Sequence, residues 1–287
     1  MKSILFIAIG ERINATRKSI REAIYARDAE FIRAEAAAQA AAGASVIDLN
    51  GGTKPEEELA NLEWIIDTVA TAIDKPFCID SASSEALSFA TRRIIEVSGR
   101  RPPENGLLEN GVPWLLINSI SAEKERYEGV LPVIREFKAS VIALALDDSG
   151  MPDDAEKRVS VGRALIERLM SDGVPQERIF ADPLIMPVGL DPNLGPQILE
   201  TVRAFRASFP DVHITCGLTN VSHGLPARQL LNRTFLVMLA AAGLDSAILD
   251  PTDKKLMSAL RAAMVLSGRD PYCSDFISAF RSNLLDA

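Results

Sequence analysis

VIDLNGGTKPEEELANLEWIIDTVATAIDKPFCID, residues 46–80, holds two short apolar runs separated by one longer amphipathic stretch. VIDLN (46–50) and FCID (77–80) have the length and composition of strands, and ELANLEWIIDTVATAI (58–73) that of a helix. A strand, a helix and a second strand in that order imply parallel pairing. The same alternation extends in both directions. Strand-like runs recur at ILFIAIG (4–10), WLLINS (114–119), VIALAL (141–146), IFADPL (179–184), HITCGLT (213–219) and SAILD (246–250). RDAEFIRAEAAAQAAAG (27–43), AEKRVSVGRALIERLMSDG (155–173) and NLGPQILETVRAFRA (193–207) read as helices; in the last, Ile198, Val202 and Phe205 recur at helical spacing. Gly43 and Gly173 stand where C-cap glycines stand.

This rhythm predicts an α/β fold, a single (β/α)₈ TIM barrel forming one domain over residues 1–287. The alternative, an open doubly wound sheet, usually carries a Gly-rich turn after its first strand, and GERIN (10–14) is not one. SGRRPPENGLLENGVP (98–113) exceeds the roughly two to six residues usual for such connections. It precedes a strand, so it is expected on the N-terminal face, as a surface insertion or a subunit contact.

Composition narrows the function. The chain is 47% hydrophobic and carries a net charge of −8, with Lys and Arg scattered, which argues against a nucleic-acid surface. Nothing resembles an apolar membrane span, and MKSILFIAIGERIN is too short in its apolar part for a signal peptide. Cys78, Cys216 and Cys273 are odd in number and far apart, as reduced thiols in a cytoplasmic protein would be.

In a barrel the chemistry lies at the C-terminal strand ends. Those ends carry Glu11, Arg12 and Asn14; Asp48 and Asn50; Asp80 and Ser81; Asn118 and Ser119; Asp147 and Asp148; Asp182; Asn220; and Asp250. For Asp147 and Asp250 taken singly, a helix N-cap is the favoured role. Capping does not explain the whole set, because buried carboxylates cost several kcal/mol unless paired. His213 and His223 are the only histidines, so a His-built metal centre is not expected, and an all-carboxylate Mg²⁺ site is the remaining metal alternative. No Lys lies in a strand run, and no GxSxG or Walker motif occurs. An acidic, amide-rich pocket suits a ligand with several N–H donors on one flat edge, such as the 2-amino-4-oxo edge of a pterin.

GERIN (10–14), DLNGG (48–52), CIDS (78–81), INS (117–119), ADPLIMP (181–187), GLTNVSHGLPARQLLNRTFL (217–236) and YCSDFI (272–277) together resemble the methyltetrahydrofolate:corrinoid-protein methyltransferases. These are pterin-binding barrels related to the folate module of cobalamin-dependent methionine synthase. The resemblance runs in order over essentially the whole chain. It implies a homodimer that takes tetrahydrofolate or 5-methyltetrahydrofolate as co-substrate. The N5 methyl would be exchanged with the cobalt of a corrinoid on a separate protein docking at the C-terminal face. It also implies that Asp80, Asn118 and Asp182 hold the pterin, that Asn220 sits by N5, and that Arg228 contributes to folate binding. Gly217 and Ser222 belong to the same motif as Asn220. Glu11, Asn14, Asp48 and Asn50 match motif positions that shape the floor and loops, and Asp147 is a further candidate. His223 lies in the variable stretch HGLPA (223–227), where it contacts folate or partner or is an exposed loop histidine.

The implied reaction is displacement at carbon by Co(I), which needs no base. N5 is a poor leaving group and must gain a proton or a strong hydrogen bond as its bond breaks. Asn220 would donate that bond, worth about 2–4 kcal/mol, with the proton arriving through water and a carboxylate. Two alternatives stand: a folate-binding or corrinoid-docking subunit without turnover, and dihydropteroate synthase. The latter needs Lys and Arg at the mouth for pyrophosphate, where this chain offers mainly Arg12 and Arg228. No DxHxxG-type segment is present, so the corrinoid would come on the partner.

Overall fold

The computed structural model describes residues 6–286; residues 1–5 and 287, including the first two of the expected first strand, lie outside the described residues. Eight parallel strands follow the chain order: β1 (Ile7–Asn14), β2 (Val46–Asn50), β3 (Phe77–Asp80), β4 (Leu115–Ile120), β5 (Ser140–Leu144), β6 (Ile179–Asp182), β7 (His213–Ile214) and β8 (Ser246–Leu249). Each pairs with its sequence neighbour from β1 to β7, and β1 also pairs with β8. The seam between β7 and β8 is closed by Ile248 N–H donating to the Cys216 carbonyl at 2.8 Å and Asp245 N–H donating to that of Ile214 at 3.3 Å. The expected (β/α)₈ barrel is therefore the observed fold.

The seventh strand is shorter than HITCGLT suggested. Beyond Ile214 the chain still pairs on both sides, through Thr215 N–H to the Ala181 carbonyl and through a parallel bridge between Gly217 and Ile248. It then turns into one 3₁₀ segment, Leu218–Ser222, instead of running straight on. That bend aims the following residues across the barrel mouth.

The helices are α1 (Lys18–Ala26), α2 (Ala29–Ala41), α3 (Glu58–Val69), α4 (Ser84–Ser98), α5 (Lys124–Glu136), α6 (Ala155–Ser171), α7 (Leu194–Ser208), α8 (Arg228–Ala242), α9 (Lys254–Leu266) and α10 (Ser274–Arg281). Helix α1 is an addition to the expected rhythm. It ends at Arg27 in the left-handed region, and Asp28 then caps α2 by accepting from Phe31 N–H. Gly43 and Gly173 have φ of +102° and +87°, as their C-cap reading requires. Among the described residues no helix is long and apolar enough to cross a membrane.

Alternate residues of the strands point inward and outward. The inward set is small, with Ile7, Ile9, Val46, Cys78, Leu116, Ile142 and Phe180 packed in the lower barrel. The 98–113 connection supplies the bottom plug. Val112 is 2% exposed and belongs to this interior cluster, while the Trp114 indole N–H donates to the carbonyls of Phe137 and Lys138. The segment lies on the N-terminal face, as its place in the chain requires, but it is more than a surface insertion.

Candidate active site

Above the apolar layer a cavity of about 580 Å³ opens at the C-terminal strand ends. Its floor is Asp48, Asp80 and Asn118: the register of β3 and β4 pairs Asp80 with Asn118, and Asp48 on β2 pairs with Cys78, two residues before Asp80. Glu11 and Asn14 from β1 and Gly217, Thr219 and Asn220 after β7 also line it, and the two groups meet where Thr219 donates to Glu11. A second cavity of about 520 Å³ lies at the opposite end, beside Lys75, Arg100 and Trp114. Arg100 there donates to the carbonyls of Lys75 and Ile73 and to Asp74, so its donors are already engaged.

The carboxylates of the upper cavity are electrostatically strained. Burial pushes the Asp48 carboxyl well above its ordinary range, and the charge of Asp80 pushes it further; the thiol of Cys78 and the amide of Asn118 oppose this in part. Its Oδ1 is buried with no hydrogen-bond partner among the described residues. Burial also raises Asp80, against one bond from Asn50 Nδ2 at 2.9 Å and the nearby charge of Arg126. Glu11 is raised by burial and relieved in part by the Thr219 hydroxyl, which donates to it at 3.2 Å. Asp182 is driven up to about 7 by burial, although the N–H groups of Leu184 and Gly217 both donate to it. A site that collects acceptors in this way calls for hydrogen-bond donors.

The stretch from Gly217 to Arg228 is built around Asn220. A Cβ on Gly217 would meet Asn220 Nδ2 at 3.0 Å, so glycine there leaves the amide its place over the floor. The Asn220 side chain makes no hydrogen bond among the described residues. Arg228 donates to Ser222 Oγ at 3.1 Å and to the Thr219 carbonyl at 2.9 Å, which ties the start of α8 back onto the 3₁₀ turn.

Of the residues singled out in the sequence, Glu11, Asn14, Asp48, Asp80, Asn118, Gly217, Asn220, Arg228 and Asp250 line one cavity. Asn50 stands behind Asp80, Ser222 behind Arg228, and Asp182 beside Gly217, so these three act on the cavity through a neighbour. His223 is exposed on the loop and does not line the cavity. Asp147 lies outside it as well, accepting from Ser149 and Lys157, with its carboxyl held below the usual range mainly by the Ser149 hydroxyl.

Two capping assignments are corrected. The N-caps of α6 and α9 are Asp154 and Asp253, which accept from Lys157 N–H and Leu256 N–H. Asp250 instead accepts from Arg12 at 2.9 Å and from Thr252, because Arg12 reaches across from β1. Arg12 also grips Glu35 at 2.6 Å, so it is a strut between β1, α2 and β8 and not a free cation at the mouth. Thr219, Arg17, Gln229 and Asn232 line the cavity and were not singled out. The polar residues Arg228, Gln229 and Asn232 within the first turns of one helix were a readable sign.

The chain matches the family described as pterin binding enzyme over residues 10–98 and 104–250. It is 34% identical over 277 residues to a methylcorrinoid:tetrahydrofolate methyltransferase of Eubacterium limosum, covering 96% of each chain. It is also 30% identical over 255 residues to methionine synthase of Mycobacterium tuberculosis, spanning 84% of this chain and 20% of that protein. Among solved structures, the 7,8-dihydropteroate synthase of Vibrio fischeri superposes with a TM-score of 0.67 at 16% identity, over 94% of this chain and 95% of that one. At that identity the likeness speaks for the barrel alone. The acceptor-lined floor and the two sequence matches agree, and the chain belongs to the pterin-binding enzymes and, within them, to the methyltransferases that link tetrahydrofolate with corrinoid.

Proposed function

We propose that the upper cavity binds the pterin ring of tetrahydrofolate or 5-methyltetrahydrofolate. The chain would move a methyl group between N5 and the cobalt of a corrinoid carried by a separate protein. The observation that carries this reading is the floor: Asp48 Oδ1 is buried without a donor, beside an Asp80 whose carboxyl is also raised. The 2-amino and ring N–H groups of a pterin supply such donors in one plane, and paired acceptors are what a carboxylate offers them. Asn118 adds a donor and an acceptor for the 4-oxo side.

The corrinoid supplies a cobalt centre able to accept or return the methyl group. The protein's part is at N5. Asn220 stands over the floor with an uncommitted amide, and Nδ2 donating to N5 stabilises the electron pair left there as the methyl departs. Such a bond is stronger in the transition state than before it, which is the condition for acceleration. Glu11 is the carboxyl placed to carry the proton, since it lines the cavity and burial keeps it protonated to higher pH than usual. Asp182, working beside Gly217, holds that wall of the pocket in place. The same groups serve the reverse transfer.

The corrinoid protein would dock at the C-terminal face, where the cavity opens. The resemblance also supports a homodimer acting in the cytoplasm, and the exposed apolar side chains Leu266, Tyr272 and Phe280 offer a surface for self-association. The test is anaerobic mixing of the protein with 5-methyltetrahydrofolate and free cob(I)alamin, followed by the visible spectrum. Conversion to methylcobalamin that depends on the protein supports the reading. Failure to bind tetrahydrofolate at all sinks it, and binding without transfer even to a corrinoid protein leaves a non-catalytic folate module.

A further inference from the structure

The upper cavity is lined by both signs of charge. Of its carboxylates, Asp250 is engaged by Arg12 and Asp253 caps α9, whereas Glu11, Asp48 and Asp80 have no cation bonded to them among the described residues; Arg17 and Arg228 are the two arginines of its lining. Arg17 is the residue before α1 and Arg228 the first residue of α8, and neither helix start has a side-chain cap. Two helix N-termini, each bearing a guanidinium, thus flank one opening and favour an anion there. Arg228 is held by Ser222 and Thr219. Arg17 makes no side-chain hydrogen bond or ion pair among the described residues, although its charge and that of Arg228 both reach Glu11. Arg17 is also half-buried, which a purely solvating arginine has no reason to be. The unpartnered Oδ1 of Asp48, 2% exposed at the floor of the same cavity, independently marks that cavity as made to be filled.

Building on the proposed function, we propose that Arg17 determines specificity for the ligand's tail, clasping a glutamate carboxylate of tetrahydrofolate together with Arg228. The two kinds of group on that molecule match the two kinds of side chain that line the cavity, acceptors and arginines. Its pterin end presents N–H donors to the acidic floor, and its other end is a dicarboxylate that would emerge between the two arginines. The pair would form charge-assisted hydrogen bonds to the carboxylate, and only arginine offers two parallel donors for it.

The experiment is titration calorimetry with tetrahydrofolate and with tail-less 6-methyltetrahydropterin. It would be run on wild type, Arg17→Ala and Arg17→Lys, at low and high ionic strength. Arg17→Ala is expected to weaken tetrahydrofolate binding roughly tenfold, the size of one lost charge-assisted bond, and to leave the tail-less pterin unchanged. Arg17→Lys should recover part of the loss. Salt should weaken tetrahydrofolate binding more in wild type than in Arg17→Ala. An equal loss for both ligands, or no loss for tetrahydrofolate with no difference in salt response, overturns the assignment. Wild type that binds neither compound overturns the pterin reading as well, whereas wild type that binds tetrahydrofolate with Arg17→Ala unaltered overturns only the role of Arg17.

Discussion

Both ends of the barrel bury charge, and they treat it in opposite ways. At the N-terminal end Asp245 is half-buried, which alone would raise its carboxyl. His213, Arg206 and the Ile214 N–H together bring it below its ordinary range. At the C-terminal end Asp182 and Asp48 are buried more deeply, and they and Asp80 remain raised, with Asp182 near 7. Folding supplies the partners of Asp245 from the chain itself. For the upper carboxylates it supplies too few to offset burial, and of these Asp48 and Asp80 line the cavity where a ligand's donors could reach them. The cost of keeping such groups is borne by the stability of the barrel.

The pH dependence of stability separates the two ends most sharply. Asp182 keeps its proton in the folded state up to pH of about 7, while the unfolded chain loses it near 3.8, so between those values folding takes up a proton. Stability should therefore fall as pH rises from 4 to 7, by up to about 4 kcal/mol from this group. Asp245 acts with the other sign, and its contribution is lost as pH drops below its unfolded value. Urea denaturation across this range, on wild type and Asp182→Asn, should show a flatter decline in the variant. Saturating tetrahydrofolate should stabilise more at pH 7 than at pH 5. A stability curve that rises steadily from pH 4 to 7 and is the same in Asp182→Asn would break the comparison.

Removing the lower charge is expected to cost about 3 kcal/mol in Asp245→Ala, because Arg206 and His213 lose their common partner at a half-buried site. Methyl transfer per folded molecule should not change; a loss of activity without a loss of stability would contradict the division of labour. The upper end predicts the converse. Asn220→Ala should lower turnover about a hundredfold with tetrahydrofolate affinity and thermal midpoint near wild type, since its amide has no bond within the described chain. The smallest effect is expected for Gly217→Ala, whose new methyl must displace the Asn220 amide it would meet at 3.0 Å. Roughly tenfold slower turnover, with affinity little altered, would place Asn220 as the group disturbed.

The fold was legible because its signals are local. Each strand run, from VIDLN to SAILD, announces itself by length and β-branched content, and each strand of the closed barrel was found where a run lay. Helix α1 also carries a helical signal, with Ile20, Ala23 and Ile24 buried on one face, but it is only nine residues long and is followed closely by the longer α2. Strand β7 was overextended because Cys216 and Gly217 are as apolar as a strand, yet the chain bends there to reach β8. Much of the site was legible for the same local reason: polar residues closing apolar runs stand at the barrel mouth. Asp147 also closes such a run but lies outside the cavity, bound to Ser149 and Lys157, whereas Asp250 lines the cavity with its carboxylate engaged by Arg12.

The sequence by itself thus determined the order of strands and helices and which side chains stand at the mouth, because periodicity and strand ends are properties of a few consecutive residues. Only the tertiary structure decided which of those side chains are spoken for. Arg12 and Asp250 meet across 238 residues of chain and neutralise each other, whereas Asp48 Oδ1 has no hydrogen-bond partner among the described residues. Pairing is a matter of distance in space, and that distance is set when the barrel closes β8 onto β1.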